Sequence, residues 1–214
     1  MDCGPDYRWK AFTAGLTKLG YRVTEKAKPD PTRSDVLVAW NRHRHDPAAQ
    51  KYEAVGATVI VAENGYIGRD QNRRQLYALA KTHHNGAGTW HVGETDRWSA
   101  LGISLKPWRK TGQHILVLPQ RGIGPAGVAM PRDWPRHIVG RLRAVTKRNV
   151  VVRPHPGQER PSLRPDLDNC WAAVTWGSGA AIKAIVAGVP VFHELRDWIG
   201  APAARYGIDQ IEDP

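Results

Sequence analysis

The chain contains few cysteines and no long apolar segment. Among 214 residues only Cys3 and Cys170 are cysteines, and they lie far apart in unlike sequence surroundings, so no disulfide framework is predicted. The N-terminus lacks the charged and then apolar pattern of a signal peptide, and no apolar run approaches the length of a membrane-spanning helix. We therefore expect a cytoplasmic, monomeric protein that makes no contact with a membrane.

Motifs for metals and tightly bound cofactors are also missing. No Cys-x-x-Cys or His-Glu-x-x-His pattern accompanies the nine histidines, so no metal site is predicted. The pair Gly122 and Gly124 is too short for a dinucleotide-binding fingerprint, and no lysine follows a glycine loop in the Walker pattern. These absences argue against NAD-dependent chemistry and ATP hydrolysis, and no tightly bound cofactor is expected.

Positive charge is what the chain has in excess. Lysine and arginine number 31 against 20 acidic residues, which gives a net charge of +11. Such a charge favours a polyanionic partner, and several of the nine tryptophans lie beside basic residues, where exposed rings can stack on nucleic-acid bases. DNA is therefore the predicted macromolecular partner. The alternative is that the tryptophans are core residues and the arginines form a solvated surface.

The C-terminal half alternates apolar runs with a helical pattern. Strands are expected at 114–119, 149–152 and 171–174, with a helix after the first strand that Asp133 caps. Helical spacing places four apolar residues on the buried face of that helix: Trp134, Ile138, Leu142 and Val145. Strands that alternate with helices predict a parallel sheet.

The carboxyl ends of those strands are where a parallel sheet binds ligands. Arg121, His155 and Ser178 each fall just beyond a predicted strand end, so one site is expected to hold all three. Gly177 and Gly179 flank Ser178 at a helix start, where glycine allows close backbone approach to a ligand and N–H groups favour a phosphate. A tight turn with a serine cap explains the same residues equally well.

The N-terminal half shows a similar alternation. A helix is predicted from Tyr7 to Leu19 and a shorter one near 48–55, while residues 76–80 fit either a strand or a helical turn. Further strands are predicted over residues 21–23, 35–40 and 58–62.

Together these patterns predict the α/β class, with two Rossmann-like halves, parallel sheets and a cleft between the halves. The predicted boundaries are 1–104 for the first half, 105–113 for a linker and 114–214 for the second half.

Several segments occur in an order that resembles a known enzyme family. Arg153-Pro154-His155-Pro156 follows a strand, Gly177-Ser178-Gly179-Ala180 opens a helix, and Gly188-Val189-Pro190-Val191 comes after it. This order resembles the donor-binding half of GT-B-fold glycosyltransferases, and is closest to the capsular-polysaccharide, Kdo-transferase-like type. In the first half, Glu63-Asn64-Gly65-Tyr66-Ile67 is similar to the family's Glu-Asp-Gly-Phe-Leu segment.

The sequence departs from this family at two positions. Asn64 stands where the family has its catalytic aspartate, and Lys183 stands where it commonly has glutamate. Since an amide cannot take up a proton, the aligned segment implies that Glu63 is the catalytic base, with His84 and Asp46 as alternatives.

The resemblance implies a glycosyltransferase whose donor is a nucleotide-diphosphate sugar, in the first instance a UDP-sugar, bound by the second half. Residues expected to bind this donor are Arg121, Gly122, Arg153, His155, Gly177, Ser178, Gly179, Ala180 and Glu194. A divalent cation on the diphosphate is compatible with the sequence, although no Asp-x-Asp motif demands one.

The net charge of +11 indicates which acceptor substrate the first half binds. A compact basic protein of this type is similar to viral DNA glycosyltransferases, which implies hydroxymethylated pyrimidines in DNA as acceptor and the host cytoplasm as location. Residues expected to contact the acceptor are Arg42, His43, Arg44, His83, Asn85, Arg109 and Lys110. Two alternatives stay open. The acceptor is an anionic capsular glycan, or the protein keeps the fold and binds nucleotide or nucleic acid without catalysis.

Overall fold

A computed structural model gives the fold of the chain. It describes residues 6–70, 72, 74–91, 93, 96–155 and 162–214, with the side chains of residues 6–8, 44, 96 and 97 excepted. Within these residues eight strands form two sheets, one of three strands and one of five. The first sheet precedes residues 105–113 and the second follows them, although the domain boundaries themselves remain a prediction.

The first sheet is mixed rather than parallel. Helix α1 (Asp6–Lys18) precedes strand β1 (Val36–Trp40), helix α2 (Asp46–Ala54), strand β2 (Thr58–Arg69) and strand β3 (Gln75–Lys81). Strands β1 and β2 are parallel, as predicted, but β2 and β3 are antiparallel neighbours. The expectation of a parallel sheet is therefore wrong for β3, because the short connection of residues 70–74 only allows a hairpin.

Residues 21–23 do not form the predicted strand. They are irregular, and among the described residues no backbone hydrogen bond joins them to β1, whose outer edge stays open. The side chain of Tyr21 is 45% exposed, so this segment does not bury the apolar residue that suggested a strand. Residues 76–80, by contrast, are strand and not a helical turn.

Strand β2 runs further than the sequence predicted. It continues beyond Ala62 to Arg69, because Glu63, Asn64 and Arg69 pair with β3, where Glu63 lies opposite Ala78. A Cβ atom on Gly65 would lie 2.9 Å from backbone atoms of Leu76, so glycine is required for this close pairing.

The second sheet is parallel throughout, as predicted. Its strand order is β5-β4-β6-β7-β8, a doubly wound arrangement. Helix α3 (Asp96–Leu101) precedes residues 105–113. The helices and strands that follow are, in chain order, β4 (His114–Leu118), α4 (Trp134–Val145), β5 (Asn149–Val152), α5 (Arg164–Leu167), β6 (Cys170–Thr175), α6 (Ala180–Val186), β7 (Val191–His193) and β8 (Arg205–Tyr206).

Helices cover both faces of the second sheet. Helix α4 buries Trp134, Ile138 and Leu142 against one face, which confirms three of its four predicted core residues, while Val145 is 52% exposed. Helix α6 packs on the other face. The predicted cap is not formed, because the Asp133 carboxylate makes no capping hydrogen bond and instead lies 3.3 Å from Nδ1 of His137.

Residues 105–113 are extended and attached to the second half. The amide of Lys106 donates to the carbonyl of Val186 at 3.1 Å, and that of Arg109 donates to Gly188 at 2.7 Å. Gly188 has φ +72°, and a Cβ atom there would meet the carbonyl oxygen of Pro107 at 2.2 Å. In the described part of the chain, no helix combines the length and apolarity needed to cross a membrane.

Candidate active site

The predicted site residues of the second sheet gather at its carboxyl edge. Arg121 follows β4, His155 follows β5 and Ser178 follows β6, all on the same edge because the strands are parallel. Strand β2 and residues 83–87 of the first half pack against this edge. We call this region, where the two halves meet, the junction site.

Glu63 and His84 form the first-half side of the junction site. Nε2 of His84 lies 3.4 Å from Oε1 of Glu63, and both side chains are largely buried. Burial raises the pKa of Glu63 to about 7, although the positive charge of Arg121 opposes this rise. Burial lowers the pKa of His84 to about 4, and the neighbouring His83 adds to the effect. Near neutral pH His84 is therefore an uncharged imidazole and Glu63 is poised to gain or lose a proton.

The side chain of His83 packs against His84. Its ring stacks on the ring of His84 with centroids 4.7 Å apart, and its Nδ1 accepts the backbone N–H of His84 at 3.0 Å. Burial is the main cause that lowers the pKa of His83. Nδ1 of His84 is buried and has no hydrogen-bond partner among the described residues.

Arg121 and His155 form the second-half side of the junction site. Arg121 is exposed, and within the described residues no carboxylate lies within 4.0 Å of its guanidinium. Burial lowers the pKa of His155, and the charges of Arg121 and Arg153 lower it further. Gly122 has φ +68°, the left-handed conformation that glycine adopts without strain, and this turns the loop after Arg121. The guanidinium of Arg121 is therefore available to bind an anionic ligand near Glu63.

The glycine turn does not leave the open space expected for a ligand. A Cβ atom on Gly179 would lie 2.5 Å from Cδ1 of Tyr66, and one on Gly177 would lie 2.7 Å from Cδ2 of Leu195. Protein side chains thus fill the room that the glycines provide. Oγ of Ser178 accepts the N–H of Ala180 at 3.2 Å within this turn, but the N-cap position of helix α6 is Gly179, so the serine is not the cap that the alternative interpretation expected.

Two side-chain amides from opposite halves converge on one carbonyl. Nδ2 of Asn85 donates to the carbonyl oxygen of Gly177 at 2.7 Å, and Nε2 of Gln120 donates to the same atom at 3.1 Å. Oδ1 of Asn85, Oε1 of Gln120 and the hydroxyl of Tyr66 are buried without a partner among the described residues. The sequence analysis assigned no role to Gln120 or Tyr66, although Gln120 directly precedes Arg121 and Tyr66 lies within the segment 63–67 that carries the family resemblance.

Two predicted residues of the first half are structural instead. The guanidinium of Arg42 is buried and binds Oδ1 of Asp46 at 2.6 Å, both carboxylate oxygens of Glu53, and the carbonyl of Thr82. Arg42 therefore cannot contact an acceptor. Its hydrogen bond is also the main cause that lowers the pKa of Asp46, which makes Asp46 a poor base.

Arg109 of the linker and Arg153 of the second half are likewise engaged within the protein. One guanidinium nitrogen of Arg109 donates to the carbonyls of Leu167 and Cys170 at 2.6 and 3.0 Å. Nε of Arg153 lies 2.7 Å from the carboxylate of Asp166.

Glu194, predicted to accept donor hydroxyls, binds helix α4 instead. Its carboxylate accepts Nε1 of Trp134 at 2.6 Å and also a hydrogen bond from Arg141. His43 and Lys110 are exposed, and their acceptor role stays a prediction. The side chain of Arg44 lies outside what the structure describes.

A cavity of about 470 Å³ lies away from the junction site. It borders β1, helix α1 and the irregular segment 21–28, and its aromatic lining includes Trp9, Phe12 and Trp40. No sequence pattern predicted this cavity, which residues 21–23 line in irregular conformation rather than as the expected strand. Within the described residues no cluster of three or more metal-ligating side chains occurs.

Comparisons with known proteins show what this fold is similar to. No protein-family model matches the chain, and no curated protein matches it. Two solved structures from Thermosulfurimonas dismutans KpsC do match it. The beta Kdo 2,7 transferase is 13% identical with a TM-score of 0.55, over 92% of this chain and 73% of that one. The beta Kdo 2,4 transferase is 12% identical with a TM-score of 0.53, over 79% and 72%.

At these identities the likeness concerns the fold alone. The expectation of a fold like that of Kdo transferases is confirmed, whereas the expected resemblance to viral DNA glycosyltransferases is not shown by these neighbours. This chain therefore shares with the two KpsC transferases a mixed α/β fold that includes parallel strands.

Proposed function

We propose that this protein is a glycosyltransferase that moves a sugar from a nucleotide-diphosphate sugar to a hydroxyl group. Its fold is similar to that of two Kdo transferases. The observation that carries the proposal is the position of Glu63, a buried carboxyl with a pKa of about 7 facing Arg121 where the two halves meet. A carboxyl whose pKa lies near the working pH is suited to general-base catalysis.

In the proposed reaction Glu63 takes the proton of the acceptor hydroxyl. The acceptor oxygen forms a bond to the anomeric carbon of the sugar, and the bond from that carbon to the diphosphate oxygen breaks. The nucleoside diphosphate leaves with the electron pair, and Arg121 stabilises its negative charge. His155 lies beside Arg121 and is the second residue in reach of the diphosphate. Neutral His84 would hold Glu63 in place.

The donor is a nucleotide sugar, with UDP-sugars as the first candidates. The two similar structures are named as Kdo transferases, so a Kdo donor belongs in the same panel. The reaction as proposed uses Arg121 for charge stabilisation and requires no divalent cation, although one could accompany the diphosphate.

The acceptor is polyanionic, and hydroxymethylated pyrimidines in DNA are the finer hypothesis. The net charge of +11 supports this, because binding to DNA gains from each neutralised phosphate. An anionic capsular glycan is the rival acceptor. Arg42 does not contribute to binding either acceptor, since its buried guanidinium is neutralised by Asp46 and Glu53.

A second candidate is a protein that binds nucleotide or nucleic acid without catalysis. Two observations favour it: Asn64 stands at the position of the family's catalytic aspartate, and Tyr66 fills the space beside Gly179. This candidate predicts ligand binding without turnover, so one assay separates the two functions.

That assay incubates the protein with a panel of nucleotide sugars and with hydroxymethylated DNA, plain DNA or an anionic glycan, and measures the released nucleotide and the glycosylated product. We expect transfer by the natural protein and a loss of about 10²- to 10⁴-fold in Glu63→Gln, with donor affinity retained. Glu25→Gln, which removes an exposed carboxylate, is the matched control and should keep the full rate. An unchanged rate in Glu63→Gln would contradict the assignment of the base, and binding without turnover would favour the second candidate.

A further inference from the structure

Helix α4 and its flanks carry basic side chains that point away from the core. Arg132, Arg136, Arg143 and Lys147 are all exposed, and we call these four residues the α4 basic row. They lie on the solvent side of the helix, opposite the buried apolar face that packs on the second sheet.

Helix geometry aligns the central members of the row. Arg136 and Arg143 are seven residues apart, which is about two turns and about 10 Å along the axis, so they share one face. Gly140 lies between them on that face, and a Cβ atom there would meet nothing within 4 Å. Arg132 lies just before the helix and Lys147 just after it. Arg136 and Arg143 thus share an unobstructed helix face, with one further basic residue next to each end of the helix.

Two other arginines of this region form ion pairs with carboxylates, whereas the members of the row do not. Arg141 pairs with Glu194, and Arg148 pairs with Glu212. No member of the row has a carboxylate within 4.0 Å among the described residues. The lone acidic residue between positions 131 and 148 is Asp133, which lies against His137.

An uncompensated set of like charges is mildly unfavourable, because the charges repel one another and no carboxylate of the described residues lies within 4.0 Å to offset this. An ordinary solvated helix face mixes charges of both signs and avoids this cost. A polyanionic partner would turn the repulsion into binding energy. Three of the four cations are arginines, whose guanidinium groups suit the paired oxygens of a phosphate.

The chemistry of this face favours duplex DNA over a single strand. Binding to single strands depends on aromatic side chains on which bases stack, and α4 offers none on its outer face since Trp134 is buried. Over about 10 Å of axis, one strand of B-DNA presents about three phosphates. Duplex DNA carries one negative charge per about 1.7 Å of its axis, so each phosphate that the row neutralises releases bound counterions.

We propose that the α4 basic row binds the phosphate backbone of duplex DNA without reading its sequence. Helix α4 is connected to the carboxyl edge of the second sheet, since Glu194, which follows β7, accepts hydrogen bonds from Trp134 and Arg141. A duplex on this row would therefore lie next to the carboxyl edge of the second sheet. The proposal does not need the transfer reaction, because binding is measured without any donor.

The test measures fluorescence anisotropy of a labelled 30-base-pair duplex between 50 and 200 mM NaCl. Four neutralised phosphates predict a slope of log affinity against log salt of about −3 to −4, or about a 100-fold loss across this range. The variant with Arg132→Gln, Arg136→Gln, Arg143→Gln and Lys147→Gln should lose most of this slope and bind at least about tenfold more weakly at 50 mM salt. Two duplexes of unrelated sequence should bind equally.

The matched control removes the same charge from the first half, through Lys10→Gln, Lys18→Gln, Lys26→Gln and Lys51→Gln, all at exposed residues. It should keep the slope and bind within about twofold of the natural protein, because these lysines lie outside the row. Thermal unfolding of both variants checks that each is folded. Equal losses in the two variants, no duplex binding at 50 mM salt, or tighter binding of single-stranded DNA or an anionic glycan would each overturn the proposal.

Discussion

The two halves of the protein bury their sheets to different degrees. In the second half the central strands β4 and β6 are fully covered, with helices on both faces. In the first half β1 has an open edge beside a cavity of about 470 Å³, and Leu79 of β3 is 48% exposed. The first-half residues of the junction site contact the second half, as Tyr66 does at Gly179 and Asn85 at Gly177. We infer that the better-packed half positions them.

The sharpest test of this comparison truncates one leucine in each sheet. Leu116 is fully buried in β4, in the core cluster that includes residues of helix α6, so Leu116→Ala should lower the free energy of unfolding by about 3–5 kcal/mol. Leu37 lies on β1 beside the existing cavity, where fewer contacts are lost, and Leu37→Ala should cost about 1–2 kcal/mol. Urea denaturation of both variants measures the difference. Equal costs would mean that the first sheet is as tightly packed as the second.

The second test uses the pH dependence of Glu63 and His84. The pKa of Glu63 rises from 4.5 to about 7 on folding, so the protonated form is favoured in the folded state and stability falls as pH rises between these values. The pKa of His84 falls from 6.5 to about 4, so stability instead falls as pH drops from 6.5 to 4. Each contribution is at most about 3 kcal/mol, and the two oppose one another.

Single variants should uncover these opposed contributions. Relative to the natural protein, Glu63→Gln should gain stability as pH rises from 4.5 to 6.5, and His84→Gln should lose it, because each variant keeps only one titrating partner. Urea denaturation at pH 4.5, 5.5 and 6.5 measures both slopes, and the double variant serves as control with little difference in slope from the natural protein. Parallel curves for all four proteins would show that the junction site is solvated and open.

The sequence predicted the second half better than the first, for a physical reason. A parallel sheet covered on both faces needs continuous apolar strands, and the runs around Leu116 and Val174 show this clearly. Residues 21–23 are only a short Tyr-Arg-Val stretch, and no backbone hydrogen bond among the described residues pairs them with the open edge of β1. Strand formation depends on such pairing and on burial, which this local pattern does not encode.

Side-chain roles were harder to predict than strands. Arg42 and Arg121 look alike in sequence, yet one is neutralised by Glu53 and the other is left without a carboxylate partner among the described residues. Contacts of this kind join residues far apart in the chain, and no local pattern encodes them. The hydrogen bond between Asn85 and Gly177 is a further example.

The smallest expected effect concerns the contact between the halves at Gly179. Its φ of −60° suits alanine, but the added Cβ would lie 2.5 Å from the Tyr66 ring, so Gly179→Ala should cost about 1–3 kcal/mol through overpacking. Gly140→Ala on the open face of α4 is the matched control and should stabilise the protein by about 0.5–1 kcal/mol. Thermal unfolding compares the two. If Gly179→Ala proved as harmless as the control, Tyr66 would have to move aside, and the glycine turn would then be open to a ligand as the sequence first suggested.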